Sequence, residues 1–264
     1  MSFWLLLAKV GMIMKKLILN LAVFLGVLGS FSAQADEVQV AVAANFSAPI
    51  EEIAKAFNKA TGHQLKISTG ASGKFYAQIK NGAPFQVFLS ADEEKPGQLE
   101  KDGLAVQGTR FTYAIGKLVL WSADPAVVDN KGKVLERNQF NKIAIANPKT
   151  APYGEAAMET LNALKLKSLI EPKIVMGENI SQTYQFVATG NAAIGFVALS
   201  QITKDNKLTG GSAWVVPEKL YSPINQDAVL LVNGKDSAAA RQLLVFLRGD
   251  ESLKVIKSYG YGVK

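Results

Sequence analysis

Residues 68–76 read STGASGKFY, with two glycines, a serine and a lysine close together. One chemistry open to such a stretch is nucleotide phosphate binding. That loop needs four residues between its first glycine and the Gly-Lys pair, and then a Ser or Thr for magnesium. Here only two residues separate Gly70 from Gly73, and Phe75 stands where the magnesium hydroxyl belongs. A second chemistry is hydrolysis with Ser72 as nucleophile. Gly70-Ala71-Ser72-Gly73 lacks the Gly-x-Ser-x-Gly spacing, and a serine needs a base. The only histidine, His63, precedes a predicted strand that ends before Ser72. With no cysteine and one histidine, thiolate catalysis is excluded and a zinc or haem site is disfavoured. No pair of carboxylates is spaced for acid–base work.

Positioning follows from the elements around that stretch. Glu37–Val42 alternates polar and apolar residues as a strand does, and Ile50, Ile53, Ala54 and Phe57 share one face of a helix predicted from Pro49 to Lys59 and stopped at Thr61-Gly62. Gln64–Ser68 is the next strand, with a short helix through Phe75, Tyr76 and Ile79 to Asn81-Gly82. Gln86–Leu89 is a buried strand before a helix that opens on Asp92, Glu93 and Glu94, acidic residues at its positive end. A second set follows: strands over 117–122, 142–146, 173–176 and 193–199, a helix opening at Pro152, and another over 181–189. A strand within 221–232 and helices over 237–248 and 251–258 close the chain. Alternating strands and helices imply open, mostly parallel sheets covered on both faces, an α/β fold.

Four strand-to-helix junctions carry the functional argument: Asn45, Ser72, Tyr153 and Ile180. A helix N-terminus exposes unpaired N–H groups and about half a positive charge, so it binds anions without cationic side chains. In open α/β sheets the ligand crevice lies beyond the carboxyl ends of the strands, where all four junctions fall. The alternative is plain: Asn45 and Ser72 as ordinary helix caps, the glycines as turn formers, and Tyr153 as a core ring. Lys74 reads as a solvated side chain.

From Met14 the sequence has the parts of a secretory signal: Lys15 and Lys16, an apolar run over 17–31, and Ala33-Gln34-Ala35 before a cleavage expected at Asp36. The run is broken by Asn20 and three glycines and is short of the roughly 20 residues that span a bilayer. Residues 1–13 form an extension upstream. The mature chain of 229 residues (264 less 35) carries 26 basic and 22 acidic side chains, a net charge of +4. Lysines are scattered without a basic block, which argues against nucleic acid. Absence of cysteine excludes a disulfide framework and a lipid on cysteine, and export as a free protein points to the periplasm.

The chain resembles the periplasmic molybdate-binding proteins of ABC transporters, within the solute-binding proteins that close two lobes around a ligand. The resemblance rests on AVAANFSAPIEEIAKAF, GAPFQVFLSAD, ANPKTAPYGEAAMETL, ENISQTYQFVATGNAAIGFVALSQ and a closing SYGYG, and it spans nearly all of the mature chain. It implies a two-lobed α/β fold, each lobe an open mixed sheet flanked by helices: residues 36–112 with 227–264, and residues 113–226. It implies an oxyanion, molybdate or tungstate, held by neutral hydroxyl, amide and backbone N–H donors. Asn45 and Ser72 would serve from one lobe, Tyr153 and Ile180 (through its backbone amide) from the other, and the molybdenum would be bound only as its oxyanion, with no cofactor. Ala198 stands where some members carry a tyrosine, so Tyr153 is expected to supply the phenolic donor. Gln86 replaces an aspartate common in its segment. The implied partner is a membrane permease, and the protein is expected to be a monomer and no enzyme. Alternatives are a carrier for sulfate or another oxyanion, and a secreted serine hydrolase using Ser72.

Overall fold

A computed structural model describes residues 35–263. The extension and signal segment expected over 1–35 lie outside the described residues but for Ala35. The strands are β1 (Glu37–Ala43), β2 (Gln64–Gly70), β3 (Val87–Leu89), β4 (Phe111–Gly116), β5 (Leu118–Ser122), β6 (Ile143–Ala146), β7 (Ile174–Gly177), β8 (Ile194–Ala198), β9 (Thr203–Lys204), β10 (Lys207–Leu208), β11 (Ser212–Val215) and β12 (Ile224–Leu230). The longer helices are α1 (Ser47–Thr61), α2 (Ser72–Lys80), α3 (Glu94–Lys101), α4 (Pro152–Ala163), α5 (Ile180–Ala188), α6 (Ala238–Phe246) and α7 (Asp250–Ser258).

Two five-stranded mixed sheets result, in the orders β2-β1-β3-β12-β4 and β11-β5-β8-β6-β7. In the first, β1 runs parallel to β2 and β3, while β12 is antiparallel to both β3 and β4. In the second, β6 runs parallel to β7 and β8, while β5 is antiparallel to β8 and β11. The protein is thus a two-lobed α/β molecule. The chain changes sheet at Lys117 and returns between Val215 and Ile224.

Period-two alternation explains why each sheet is covered on both faces. Val38, Val40 and Val42 of β1 pack with Phe46, Ile50, Ile53 and Phe57 and with Leu243 and Ile256, while Ala41 turns the other way to Phe75, Ile79 and Leu99. In the second sheet Leu118 and Leu120 meet Ala157 and Leu161 of α4, and Val119 and Trp121 meet Val187 of α5. Burying one such aliphatic side chain stabilises the fold by roughly 1.5–3 kcal/mol.

Two features depart from the sequence reading. β4 and the β9–β11 segment are not among the predicted elements; β4 lies in the first sheet and pairs with β12 through a register shift at Gln226/Asp227. The cap expected at the start of α1 is absent. A short 3-10 turn (Ala44–Phe46) comes first, Phe46 takes the cap position without a side-chain bond, and Ser47 Oγ donates to Ala44 O at 2.8 Å. The stop at Gly62 is as expected: its φ is 79°, a left-handed conformation that glycine adopts without penalty.

Candidate functional site

Each junction is aimed by local chemistry. After β1 the 3-10 turn carries Asn45 inward, 3% exposed. After β2, Ala71 is extended and α2 begins at Ser72, whose Oγ accepts from Ala91 N (2.9 Å) and ties α2 to the loop that follows β3. After β6, Asn147 folds the turn ahead of α4: its Oδ1 accepts from Lys149 N (3.0 Å), and its carbonyl accepts from Thr150 N and Ala151 N (3.1 and 2.9 Å). Pro152 then opens α4, where the missing N–H costs nothing. Gly154 lets that helix abut the strand, since a Cβ there would lie 2.2 Å from Ala146 O. After β7, Asn179 caps α5 by accepting from Gln182 N at 3.0 Å, so the helix starts at Ile180, one residue before the predicted Ser181.

These four junctions meet. Asn45, Ser72, Tyr153 and Ile180, with Ala43, Ala44, Gly70, Ala71, Ala91, Ala151, Pro152 and Asn179, line one narrow cavity of about 10 Å³, close to the space one water needs. Every lining side chain is neutral. Ile180 N–H is the first amide of its helix and has no acceptor within it. Ala198 is buried in β8 and is not part of the lining.

A hydrogen-bond hub lies beside the cavity that sequence reasoning missed. Gln226 of β12, fully buried, accepts at Oε1 from Asn45 Nδ2 (2.8 Å) and Tyr113 OH (3.1 Å), and donates from Nε2 to Tyr153 OH (3.1 Å). The second Nδ2 bond of Asn45 goes to Tyr261 OH (2.9 Å). Both amide hydrogens of Asn45 are therefore held by protein, and what remains for a guest is its backbone N–H. Tyr153 accepts from Gln226, and its own phenolic proton meets no acceptor among the described residues. Burial holds the Tyr113 and Tyr153 phenols well above their ordinary 10.0, and Tyr261 is raised for the same reason, so all three are neutral donors.

Several bonds cross between the lobes around the cavity. Gly73 N donates to Thr150 O (2.9 Å), Ser181 Oγ to Ala44 O (3.2 Å), and Ser200 Oγ to Asn45 O (2.9 Å). Lys74 is exposed, as expected, and its Nζ also reaches Glu178 of the second lobe at 2.8 Å. That bond lowers the Glu178 pKa below its usual value, so the pair holds at neutral pH and is lost in acid as the carboxyl protonates. Both partners are exposed, and such pairs add little to stability.

The residues offered for hydrolysis do not meet. His63 precedes the first residue of β2, where its Nδ1 accepts from Asp36 N (3.1 Å), whereas Ser72 follows the last. Seven strand residues at about 3.3 Å each keep them apart. Gln86 needs no ion pair: its Oε1 accepts from Gln39 N at 3.0 Å and extends the ladder. Among the described residues no group of three or more His, Cys, Asp or Glu side chains is arranged to hold a bare metal ion.

Residues 38–262 match the model of the bacterial extracellular solute-binding proteins. The chain belongs to that family. Among its relatives, the molybdate-binding protein ModA of Azotobacter vinelandii is 59% identical over 233 residues, covering 88% of this chain and 92% of the relative. ModA of Rhodobacter capsulatus is 54% identical over 229 residues, covering 87% and 89%. A solved structure of the Azotobacter vinelandii periplasmic molybdate-binding protein superposes with a TM-score of 0.83 at 45% identity, covering 86% of this chain and 99% of that one. The sulfate-binding protein SubI of Mycobacterium tuberculosis shares the solute-binding fold at 13% identity and a TM-score of 0.68.

Proposed function

We propose that this solute-binding protein is the periplasmic component of an ABC importer for molybdate, and for tungstate with it. It encloses the tetrahedral oxyanion between its lobes and delivers it to a membrane permease. The observation that carries this reading is the convergence of four strand-to-helix junctions, two from each lobe, on one cavity without a charged side chain. The names of the relatives at 59% and 54% identity point to the same ligand.

A fully deprotonated dianion needs only donors, and a hydrogen bond to a charged group contributes about 1.5–3 kcal/mol. Backbone N–H groups at the junctions, the Ser72 hydroxyl and the Tyr153 phenol are the donors proposed. A phosphate monoanion carries a proton and requires an acceptor carboxylate, which the lining does not offer. Sulfate is the competing cargo because it asks for the same donors and differs in size. No bond is made or broken, so the protein acts as a carrier and not as an enzyme. It is proposed to act as a monomer with no nucleic acid partner, after removal of its signal segment. Crossings at Lys117 and between Val215 and Ile224 are the proposed hinge, supported by the strand memberships.

Melting curves with molybdate, tungstate, sulfate and phosphate test the assignment. At about 100 times its dissociation constant a ligand adds roughly 2.7 kcal/mol of stability. Molybdate and tungstate should raise the melting temperature and phosphate should not. No response to any of the four defeats the carrier reading, and a response to sulfate alone replaces the cargo.

The pH dependence follows from the donors. The buried phenols favour the protonated form, so their contribution to stability is complete below pH 10.0 and is lost as pH rises past it, where an unfolded chain ionises. Molybdate affinity measured by calorimetry should therefore be flat between about pH 6 and 9. A tenfold drift across that range would require a titrating group facing the anion.

A further inference from the structure

We infer that Gly73 sets how far the two lobes close over the anion, and that it is glycine because the backbone of the opposite lobe fills the space a side chain would need. This rests on the oxyanion-carrier reading above.

Gly73 is the second residue of α2 and has no left-handed φ, so its backbone conformation is open to any residue. Where φ suits any residue, alanine in place of glycine stabilises a fold by restricting the unfolded chain. Nothing local thus calls for glycine here, and the reason for it lies across the cleft. A Cβ at Gly73 would sit 2.9 Å from Thr150 Cα, 3.1 Å from Thr150 O and 3.3 Å from Thr150 Cβ. The nearest atoms are backbone and cannot rotate aside. The Asn147 turn fixes them through the bonds from Lys149, Thr150 and Ala151, and Pro152 follows at once. The same approach forms the Gly73 N–H bond to Thr150 O at 2.9 Å, which spends an amide of α2 on the other lobe and not on the guest.

Position matters as much as distance. Gly73 and Thr150 each neighbour a residue that lines the cavity, Ser72 on one lobe and Ala151 on the other. Separation of the lobes at this point moves the two donor sets apart, and neither alone encloses the anion. Alanine at 73 should therefore improve the first lobe by itself and spoil the closed complex, two effects of opposite sign at one residue. A position that merely maintained the fold would lose both together.

The chain has no cysteine, so cysteines introduced at the exposed Lys59 and Met176, one in each lobe, can carry spin labels that report closure. The comparison is between Gly73 and Gly73→Ala in that background, with Gly73→Val as a larger wedge. In each, the inter-label distance with and without molybdate, the apo melting temperature and the molybdate affinity are measured. The expected result for Gly73→Ala is an apo melting temperature equal to or above the parent, a longer bound-state distance and affinity reduced at least tenfold, with Gly73→Val weaker again. Affinity within twofold of the parent at the same bound-state distance overturns the inference, as does a lowered apo melting temperature with unchanged closure. If the parent binds none of molybdate, tungstate or sulfate, the carrier reading falls by itself. The shortest distance reached then decides alone: a longer one in Gly73→Ala sustains the stop, and an equal one removes it.

Discussion

Gln226→Leu should lower the melting temperature by roughly 5–15 °C and weaken molybdate binding at least about tenfold. Leucine fills similar space but deletes an acceptor for Asn45 Nδ2 and Tyr113 OH and the donor to Tyr153 OH. Tyr113 keeps an acceptor in Ser90 O at 3.0 Å, so the groups left unpaired are one amide hydrogen of Asn45 and the phenolic oxygen of Tyr153. Each buried orphan costs about 1–3 kcal/mol, and members of one network lose more together than apart. At about 2–4 °C per kcal/mol for a chain of this size, the melting shift follows. Affinity falls because Asn45 and Tyr153 line the cavity from opposite lobes and Gln226 is the side chain that holds both. Tyr113→Phe is the control: it removes one spoke whose partners have other bonds and should cost about 1 kcal/mol. A Gln226→Leu protein that melts within 2 °C of the parent and binds normally would show that the hub is a bystander.

Ser72→Ala is expected to cost both stability and binding. Its hydroxyl proton is the proposed donor to the anion, and removal should reduce affinity about 10- to 150-fold, the equivalent of 1.5–3 kcal/mol. The sequence alone suggests that the empty protein would be indifferent to this change. The structure reverses that expectation, because Ser72 Oγ accepts from Ala91 N in a buried setting, and alanine leaves that N–H without a partner. An apo destabilisation of about 1–3 kcal/mol follows. Ser72→Thr keeps the hydroxyl and should retain most of both. Urea unfolding of the apo forms and calorimetric titration with molybdate separate the two losses. Undiminished affinity in Ser72→Ala would return this serine to a purely structural role.

What was legible in the sequence was whatever is local. Apolar alternation, a helical face and a glycine or proline at each end placed β1, β2, α1, α2 and α4 to within a few residues, and the four junctions follow from them directly. β4 escaped because Phe111–Gly116 mixes buried and half-buried positions without alternation. Its identity as a strand comes from β12, more than a hundred residues later. The hub escaped for the same reason. Gln226 lies inside PINQDAVLLV, where a strand is the only local message, and its partners Asn45, Tyr113 and Tyr153 are 181, 113 and 73 residues away. Tyr261 stood in the quoted SYGYG segment with no role, although its hydroxyl joins Asn45 to Ser200. Lys74 is exposed, as its type suggests, but nothing near it in sequence announces its pairing with Glu178. Gly73 raised the question of a turn, but its constraint comes from Thr150 in the other lobe.

The bonds Gly73–Thr150 and Lys74–Glu178 each flank the cavity and join one lobe to the other. Under the proposed function, unloading at the membrane would then need no competitor for the cargo. In the importer proposed above, a permease that drew α2 away from the Asn147 turn would part the Ser72 side of the cavity from the Tyr153 side at one stroke, and so open the site by force on the carrier rather than by chemistry at the cargo.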